Sequence, residues 1–194
     1  MLDLHQFIAL FDGRPVPEDL IRLGGFQNVV KAQYTESLWL TDHEKRGLEA
    51  GWSKDPAFLA RLVAFGVANG SGSFYALWNP DDGSEPAEWP VVVFGDEGGE
   101  WVIARNVREL LQLSGLDIEP YVDHESAYFF IDEDDEDEDE DDDYASEAIE
   151  DYREWLSEVA QLDPLTDPDP VVERARAQWQ APFDAWKAPY LDGR

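Results

Sequence analysis

The sequence predicts an α+β fold, in which a small and mostly antiparallel sheet has helices packed on one side and further helices follow at the C-terminus. Two observations lead to this expectation. The middle of the chain shows a helical pattern, a strand, a hairpin and another helix in succession, an order that favours an antiparallel sheet. In addition, 43% of the 194 residues are hydrophobic and 13% are aromatic, which is enough apolar surface for one domain with a sizeable core.

The first quarter of the chain is expected to be partly helical and partly extended. Residues 1–23 are predicted to form one or two short helices, interrupted between Gly13 and Pro17, and Pro17 suits a helix start. Residues 24–54 mix β-branched and aromatic residues with polar ones, so that this segment is predicted to be extended.

A helix is then predicted from Asp55 to Gly70, because the segment has a start signal, an apolar stripe and an end signal. Asp55 can cap the first turn, Pro56 suits that turn, and Asn69–Gly70 can end the helix. The expected buried stripe consists of Phe58, Leu59, Leu62, Val63 and Phe65.

The sheet is predicted from the apolar runs that follow. SFYALW at 73–78 is typical of a strand, with Phe74, Ala76 and Trp78 on one face. WPVVVFGDEGGEWVIA at 89–104 indicates a hairpin whose turn lies between Gly95 and Gly99. Asn106 and Glu109 can form a capping box for the next helix. The expected buried face of that helix consists of Val107, Leu110, Leu111 and Leu113.

Two more helices are predicted near the C-terminus, and they are expected to pack on the central domain. The second begins at the Asp–Pro pairs of DPDP at 167–170, and Pro182 is expected to break or restart it. The first has an expected apolar stripe of Ile149, Tyr152, Leu156 and Val159, with Trp155 beside it. The predicted parts of the chain are an α+β domain over 1–131 with its core at 55–115, an acidic solvated loop over 132–143, and C-terminal helices over 144–194.

The chain is strongly acidic throughout. It has 44 acidic and 14 basic side chains, which give a formal charge of −30, and leaving out the twelve consecutive acids at 132–143 still leaves −18. Such a field repels the phosphates of nucleic acids and favours a basic protein partner. The alternative is that the charge serves solubility alone.

Several classes of site and location are excluded or disfavoured by composition. The chain has no cysteine, which excludes disulfides, iron–sulfur clusters, thiolate zinc sites and cysteine nucleophiles. The N-terminus lacks the basic region of a signal peptide, and no segment reaches the roughly 18 consecutive apolar residues of a membrane span. A cytoplasmic protein with no membrane association is therefore expected.

The span from Leu59 to Leu113 resembles the SUKH superfamily, which includes Smi/Knr-type cell-wall regulators and many bacterial toxin-immunity proteins. The matching residues are ANGSGSFYALW at 68–78 and WPVVVFGDEGGEWVIARNVRELLQL at 89–113. They contain, in the family's order, a Gly-containing turn, a strand, a hairpin with a Gly–Asp-rich turn, and a strand that leads into a helix. The resemblance implies an α+β sheet domain that binds proteins, in many relatives a nuclease or another toxin of interbacterial competition. It implies no catalytic residue.

The acidic run at 132–143 allows two interpretations. It lacks the glycine and the ligand spacing of an EF-hand loop, and neighbouring carboxylates repel each other by roughly 0.6 kcal/mol per pair in water. The run is therefore expected to stay solvated, either as a plain loop or as an electrostatic attraction for a basic protein.

Aromatic residues beside the run strengthen the second interpretation, because interfaces favour tyrosine with charges at the rim. The candidate partner-binding residues are Asp132, Glu133, Asp134, Asp135, Glu136, Asp137, Glu138, Tyr128 and Tyr144. The alternative is that YVDHESAYFFI at 121–131 pairs with the edge of the sheet, and this interpretation is favoured for Phe129.

No metal site, cofactor or catalytic motif is predicted. His5, His43 and His124 have no ligand spacing, and the serines and glycines form no nucleophile elbow, phosphate loop or dinucleotide fingerprint. A catalytic pair of carboxylates, as in glycosidases, is neither predicted nor excluded, since a chain with 44 acidic residues contains many such pairs. We therefore predict a non-enzymatic protein-binding domain, of the immunity type that neutralises a basic partner such as a nuclease toxin. The alternative is a cytosolic scaffold or regulatory domain in which the acidic run is a solubiliser.

Overall fold

A computed structural model of the chain describes residues 1–43, 45–130 and 145–191. The helices of this part of the chain are α1 (Leu4–Ala9), α2 (Glu18–Val30), α3 (Lys45–Gly51), α4 (Pro56–Leu59), α5 (Val107–Ser114), α6 (Ile149–Trp155) and α7 (Asp169–Leu191), with a 3₁₀ turn at Pro86–Glu88 and a π-helical turn at Leu156–Ala160. The strands are β1 (Trp39–Leu40), β2 (Leu62–Val67), β3 (Phe74–Trp78), β4 (Val91–Phe94), β5 (Glu100–Ala104), β6 (Pro120–Val122) and β7 (Ala127–Phe129).

The strands form an antiparallel sheet and a separate hairpin, which confirms the predicted α+β class. Strands β1 to β5 lie side by side in chain order, and in the middle of the sheet Ala76 of β3 lies opposite Ala64 and Val92. Strands β6 and β7 pair only with each other, with Tyr121 opposite Tyr128. Within the described residues, no helix is both long enough and apolar enough to cross a membrane.

The central strand β3 is buried over its whole length, so both faces of the sheet need a cover. Tyr75 and Leu77 face a core that α1, α2, α5 and α6 share with the sheet. Phe74, Ala76 and Trp78 face a second core, as predicted, and α7 covers that side. Helices therefore cover both faces, and the second face belongs mainly to the C-terminal helix.

Both edges of the five-stranded sheet end on a glutamine side chain. On the β1 edge, Gln27 of α2 accepts a hydrogen bond from the Leu40 N–H at 2.9 Å and donates one to the Leu40 carbonyl at 3.0 Å. The same amide accepts a 2.9 Å hydrogen bond from the Tyr34 hydroxyl. On the β5 edge, the Val102 N–H donates to Gln180 of α7 at 2.9 Å. Each amide satisfies backbone groups that an edge strand would otherwise leave open.

The hairpin and the helix after it are confirmed. β4 and β5 pair around the Gly95–Gly99 turn, and the expected apolar residues of α5 are all buried. Asn106 caps α5 by accepting a hydrogen bond from the Glu109 N–H at 3.1 Å. In a standard capping box the Glu109 carboxylate would accept a hydrogen bond from the N–H of the cap residue Asn106. Here it accepts instead from the N–H of the preceding residue, Arg105, at 2.8 Å.

The prediction of a helix from Asp55 to Gly70 is wrong beyond the first helical turn. The Asp55 carboxylate does cap a helix, because it accepts from the Ala57 N–H at 2.7 Å, but α4 ends at Leu59. The next apolar run, LVAFGV, is strand β2 and is buried on both faces. In a run of apolar residues with no polar face, the spacing of polar and apolar positions cannot distinguish a strand from a buried helix. Pairing with β3 makes this run a strand.

The extended structure predicted for residues 24–54 is also wrong over most of that segment. Helix α2 continues to Val30, because Leu20, Leu23, Gly24 and Gln27 form a buried stripe at helical spacing. A second helix, α3, follows, and in the described part of the segment only the two residues of β1 form a strand. The β-branched residues near the end of α2 favour a strand locally, but burial of the helical stripe in the tertiary structure outweighs that local preference.

Three expectations for later segments need correction. Pro182 neither breaks nor restarts α7, since it lies on an exposed side of the helix where water can satisfy the carbonyl that loses its N–H partner. Val159 is 43% exposed, because the π-helical turn shifts it away from the stripe that Ile149, Tyr152 and Leu156 bury. The described part of the segment 121–131, residues 121–130, does not pair with the edge of the five-stranded sheet: it contributes to the separate β6–β7 hairpin, in which Phe129 is buried.

We expect Gln27→Leu to lower the free energy of unfolding by about 2–4 kcal/mol, because it leaves the buried backbone groups of Leu40 and the Tyr34 hydroxyl without their partner. Urea unfolding checks this. Gln112→Leu is the matched control, since Gln112 donates one exposed hydrogen bond to the Asp163 carbonyl, and we expect it to cost less than about 1 kcal/mol. Equal losses in the two variants would contradict the role of Gln27 at the edge.

Candidate functional site

Carboxylates gather at one end of the five-stranded sheet, where β2 turns into β3 and β4 turns into β5. Three clefts of about 380, 370 and 810 Å³ lie along this end. We call the carboxylates that line them the acidic rim: Glu36, Asp96, Glu97, Glu100 and Glu119. In the described part of the chain, Lys31 is the only lysine or arginine among the lining residues of these clefts.

The β2–β3 turn fixes Asp96 on the rim. The side-chain Oδ1 of Asn69 accepts hydrogen bonds from the Gly72 and Ser73 N–H groups at 3.1 and 2.9 Å, and Gly72 supplies the positive φ of 118° that the turn needs. The hydroxyls of Ser73 and Ser71 then donate to Asp96 at 2.7 and 2.9 Å. The hydrogen bond from Ser73 is the main cause of a lowered pKa for Asp96, so this carboxylate is charged at neutral pH.

The β6–β7 hairpin is attached to the rim at the β4–β5 turn. His124, at the tip of the hairpin, lies so close over Gly98 that a Cβ atom there would collide with the imidazole. The Trp101 indole N–H of β5 donates to the Asp123 carbonyl at 2.9 Å. Arg176 of α7 donates a further hydrogen bond to the Ala127 carbonyl of β7. These contacts hold the hairpin at a fixed position beside the carboxylates.

The hairpin presents aromatic side chains to solvent. Tyr121 and Tyr128 are 51% and 41% exposed, and their ring centroids lie 5.1 Å apart. Phe130, two residues after Tyr128, is 64% exposed. We call these three residues the tyrosine face. The nearby charge of Asp123 is the main cause of a raised pKa for Tyr121, which keeps its hydroxyl protonated at neutral pH.

A second group of carboxylates surrounds Glu36. Asp117 accepts hydrogen bonds from the Glu36 N–H at 2.8 Å and from the Ser146 N–H and hydroxyl at 2.7 Å each. Glu119 accepts from the Gly70 N–H at 2.6 Å. Partial burial, followed by the charges of Asp117 and Glu119, raises the pKa of Glu36. Because Ser146 follows Tyr144 by two residues, the chain returns from its acidic run directly at this group.

The structure places only part of the predicted partner-binding set. Tyr128 is exposed on β7, as a binding residue needs to be, whereas Asp132 to Glu138 and Tyr144 lie outside the described residues. The acidic rim was not predicted from the sequence. The one available signal was the pair Asp96–Glu97 inside a predicted hairpin turn, since turn residues lie at the surface.

The rim has the chemistry of a cation-binding or protein-binding surface. In the described ranges, no group of three or more histidine, aspartate or glutamate side chains is arranged to hold a metal ion. What the rim offers is carboxylate oxygens beside exposed aromatic rings, a combination that suits the lysine and arginine side chains of another protein.

In comparisons with known proteins, the chain matches no family model, no curated protein and no solved structure. The similarity to the SUKH superfamily therefore rests on the residues quoted in the sequence analysis and stays a prediction.

We expect Glu36→Gln to raise the melting temperature at pH 7, because it removes a charge that burial and two neighbouring carboxylates disfavour. The gain should be modest, about 0.2–1 kcal/mol in the free energy of unfolding, since the side chain is only half buried. The folded-state pKa of Glu36 is raised, so the wild type loses stability as the pH rises above the unfolded value of about 4.5. The difference between variant and wild type should thus nearly vanish at pH 4.

Thermal unfolding of both proteins between pH 4 and pH 7 checks this expectation. Glu97→Gln is the matched control, because it removes the same charge from an exposed position on the β4–β5 turn. A pH-independent difference, or an equal gain in the control, would show that the carboxylates around Glu36 do not disfavour its charge.

Proposed function

We propose that this chain is a non-enzymatic protein-binding domain of the toxin-immunity type, which acts in the bacterial cytoplasm and neutralises a basic protein. The observation that carries the proposal is the arrangement at the end of the sheet. Five carboxylates and the tyrosine face lie there on a rigid support. Among the described residues a single lysine lines the clefts, and one of the five carboxylates, Glu100, is paired with Lys187 at 2.8 Å.

Charge and aromatic surface have separate roles in such a complex. Carboxylates on one surface speed the encounter with a basic partner and select against acidic ones. Exposed tyrosines then supply contact area at a low entropic cost, which makes them frequent hot spots of binding. The nearest described residues on either side of the acidic run include Phe130 of the tyrosine face and Ser146, which donates to Asp117 beside Glu36, so we expect the run's twelve charges to add to the same field.

A nuclease is the partner class that this surface fits best. A nuclease binds phosphates with a cleft rich in lysine and arginine, and a surface of carboxylates can stand in for those phosphates. The second candidate is a scaffold or regulatory domain in which the acidic run only increases solubility. The run's formal charge of −12, against −18 for the remainder, is the observation that favours this alternative, because so much unpaired charge suffices for solubility.

Capture of partners from the source cell distinguishes these functions. Three baits are needed: the wild type, a variant with residues 132–143 replaced by Gly and Ser, and a variant with Glu97→Gln and Glu119→Gln. Each is washed at low and at moderate salt. We expect a basic protein on the wild type, and a retention that falls by about threefold or more on the rim variant, because two of the five rim charges are gone.

The acidic-run bait separates the two roles of the run. Weaker retention on this bait makes the run part of the attraction, whereas equal retention assigns binding to the folded domain and leaves the run as a solubiliser. The proposed function is wrong if no basic protein is retained by the wild type even at low ionic strength.

We expect Tyr121→Ala and Tyr128→Ala each to weaken binding of the captured partner by about tenfold, as truncation of an interfacial tyrosine commonly does. Isothermal titration measures the affinity. Val159→Ala is the control, because Val159 is similarly exposed but belongs neither to the tyrosine face nor to the residues that line the three clefts. Unchanged affinity in both tyrosine variants would place the interface elsewhere on the chain.

A further inference from the structure

One of the two smaller clefts on the acidic rim has an exposed tryptophan among its lining residues, which the other two clefts of the rim do not share in this form. This cleft, of about 380 Å³, is lined by Trp39, Glu36, Glu119, Lys31 and neighbouring polar and apolar groups. We call it the Trp39 cleft. Its volume lies at the low end of the roughly 300–1,000 Å³ that is typical of ligand pockets, which suits one long side chain better than a folded segment.

Trp39 is held rigidly at this cleft. Its ring stacks on Tyr34 with centroids 5.2 Å apart and an angle of 27° between the planes. Tyr34 itself is fully buried and donates its hydroxyl to Gln27, the residue that closes the β1 edge. Trp39 remains 36% exposed, so an indole surface of fixed orientation is open to solvent.

The carboxylates of the cleft carry more negative charge than their surroundings balance. Glu36 and Glu119 line the cleft, and Asp117 lies directly beside Glu36. Of the described residues that line the cleft, Lys31 is the one cation. Partial burial, followed by the charges of Asp117 and Glu119, raises the pKa of Glu36. A cation in the cleft would relieve the repulsion among these groups, and it would gain the face of an aromatic ring.

The protein already uses arginine with tryptophan in this way inside its own fold. The Arg61 guanidinium lies 5.6 Å from the Trp78 ring centroid and 5.3 Å from that of Trp186. A guanidinium group combines planar stacking on an indole with two parallel hydrogen bonds to a carboxylate, whereas an ammonium group has no planar face. Arginine is therefore the side chain that best matches a tryptophan placed beside glutamates.

We infer that the Trp39 cleft receives an arginine side chain of the basic partner, with the guanidinium against the Trp39 indole and beside the carboxylates of Glu36 and Glu119. This inference rests on the proposed function, since it names a residue type of that partner and the place where it binds. It also explains why a glutamate with an unfavourable charge is present at position 36. A group that destabilises the free protein can be kept because it stabilises a complex.

The test uses the full chain with ¹⁵N-labelled tryptophan and two blocked tripeptides, Gly-Arg-Gly and Gly-citrulline-Gly. Citrulline has nearly the shape of arginine but no charge. A Trp39→Phe variant identifies the Trp39 indole signal in the NMR spectrum. We expect the arginine peptide to shift this signal with a dissociation constant in the millimolar range, and the citrulline peptide to bind at least about fivefold more weakly.

Two variants separate the cleft from the general field of the protein. Glu36→Gln should weaken the arginine peptide by about threefold or more while it raises the melting temperature, a combination that a purely structural residue does not give. Glu158→Gln removes the same charge from an exposed position that lines none of the three clefts, and it should change the affinity by less than about 1.5-fold. Equal shifts by both peptides, no shift of Trp39, or equal losses in the two variants would overturn the inference.

The outcome is distinguishable from a failure of the proposed function. If a basic protein is captured through the rim but the arginine peptide leaves Trp39 unaffected, only the assignment of the cleft is wrong. If the peptide binds at Trp39 but no basic protein is captured, the cleft recognises guanidinium groups and the proposed function is wrong.

Discussion

Strand β3 is buried on both faces, and the rest of the structure follows from that constraint. Its five residues are all apolar, so each face of the sheet has to be covered by helices before the strand can leave water. The N-terminal helices and α5 cover one face, and α7 has to cross the other. Polar and charged residues are thereby confined to the ends of the strands. The position of the acidic rim is thus a consequence of how the core is closed.

The sequence predicted those elements whose signals are local. The Gly95–Gly99 turn, the Asn106 cap and the alternation of Phe74, Ala76 and Trp78 all depend on neighbouring residues, and all are confirmed. Strand β2 and the end of α2 depend instead on what packs against them. An apolar run such as LVAFGV is compatible with a buried helix and with a buried strand. It forms a strand here because it pairs with β3.

The candidate site was harder to predict from the sequence, because its residues are far apart in the chain. Glu36 and Asp117 are 81 positions apart in the chain and are joined by a single hydrogen bond of 2.8 Å. No pattern within a window of residues can bring them together. Tyr128 could be predicted as a binding residue because it stands close to the acidic run, a feature of the sequence itself. The rim, by contrast, exists only once the turns of several strands meet.

The glutamines at the two sheet edges limit how this protein can associate. A strand of another chain cannot extend the five-stranded sheet at Leu40 or Val102 without first displacing Gln27 or Gln180 from its hydrogen bonds. The proposed function assigns recognition instead to side chains on the rim and on the tyrosine face. Under that proposal, substitutions of exposed residues such as Tyr121, Tyr128 and Glu97 are expected to change the partner while the free energy of unfolding stays nearly constant. Such a division between scaffold and contact surface allows rapid divergence of specificity.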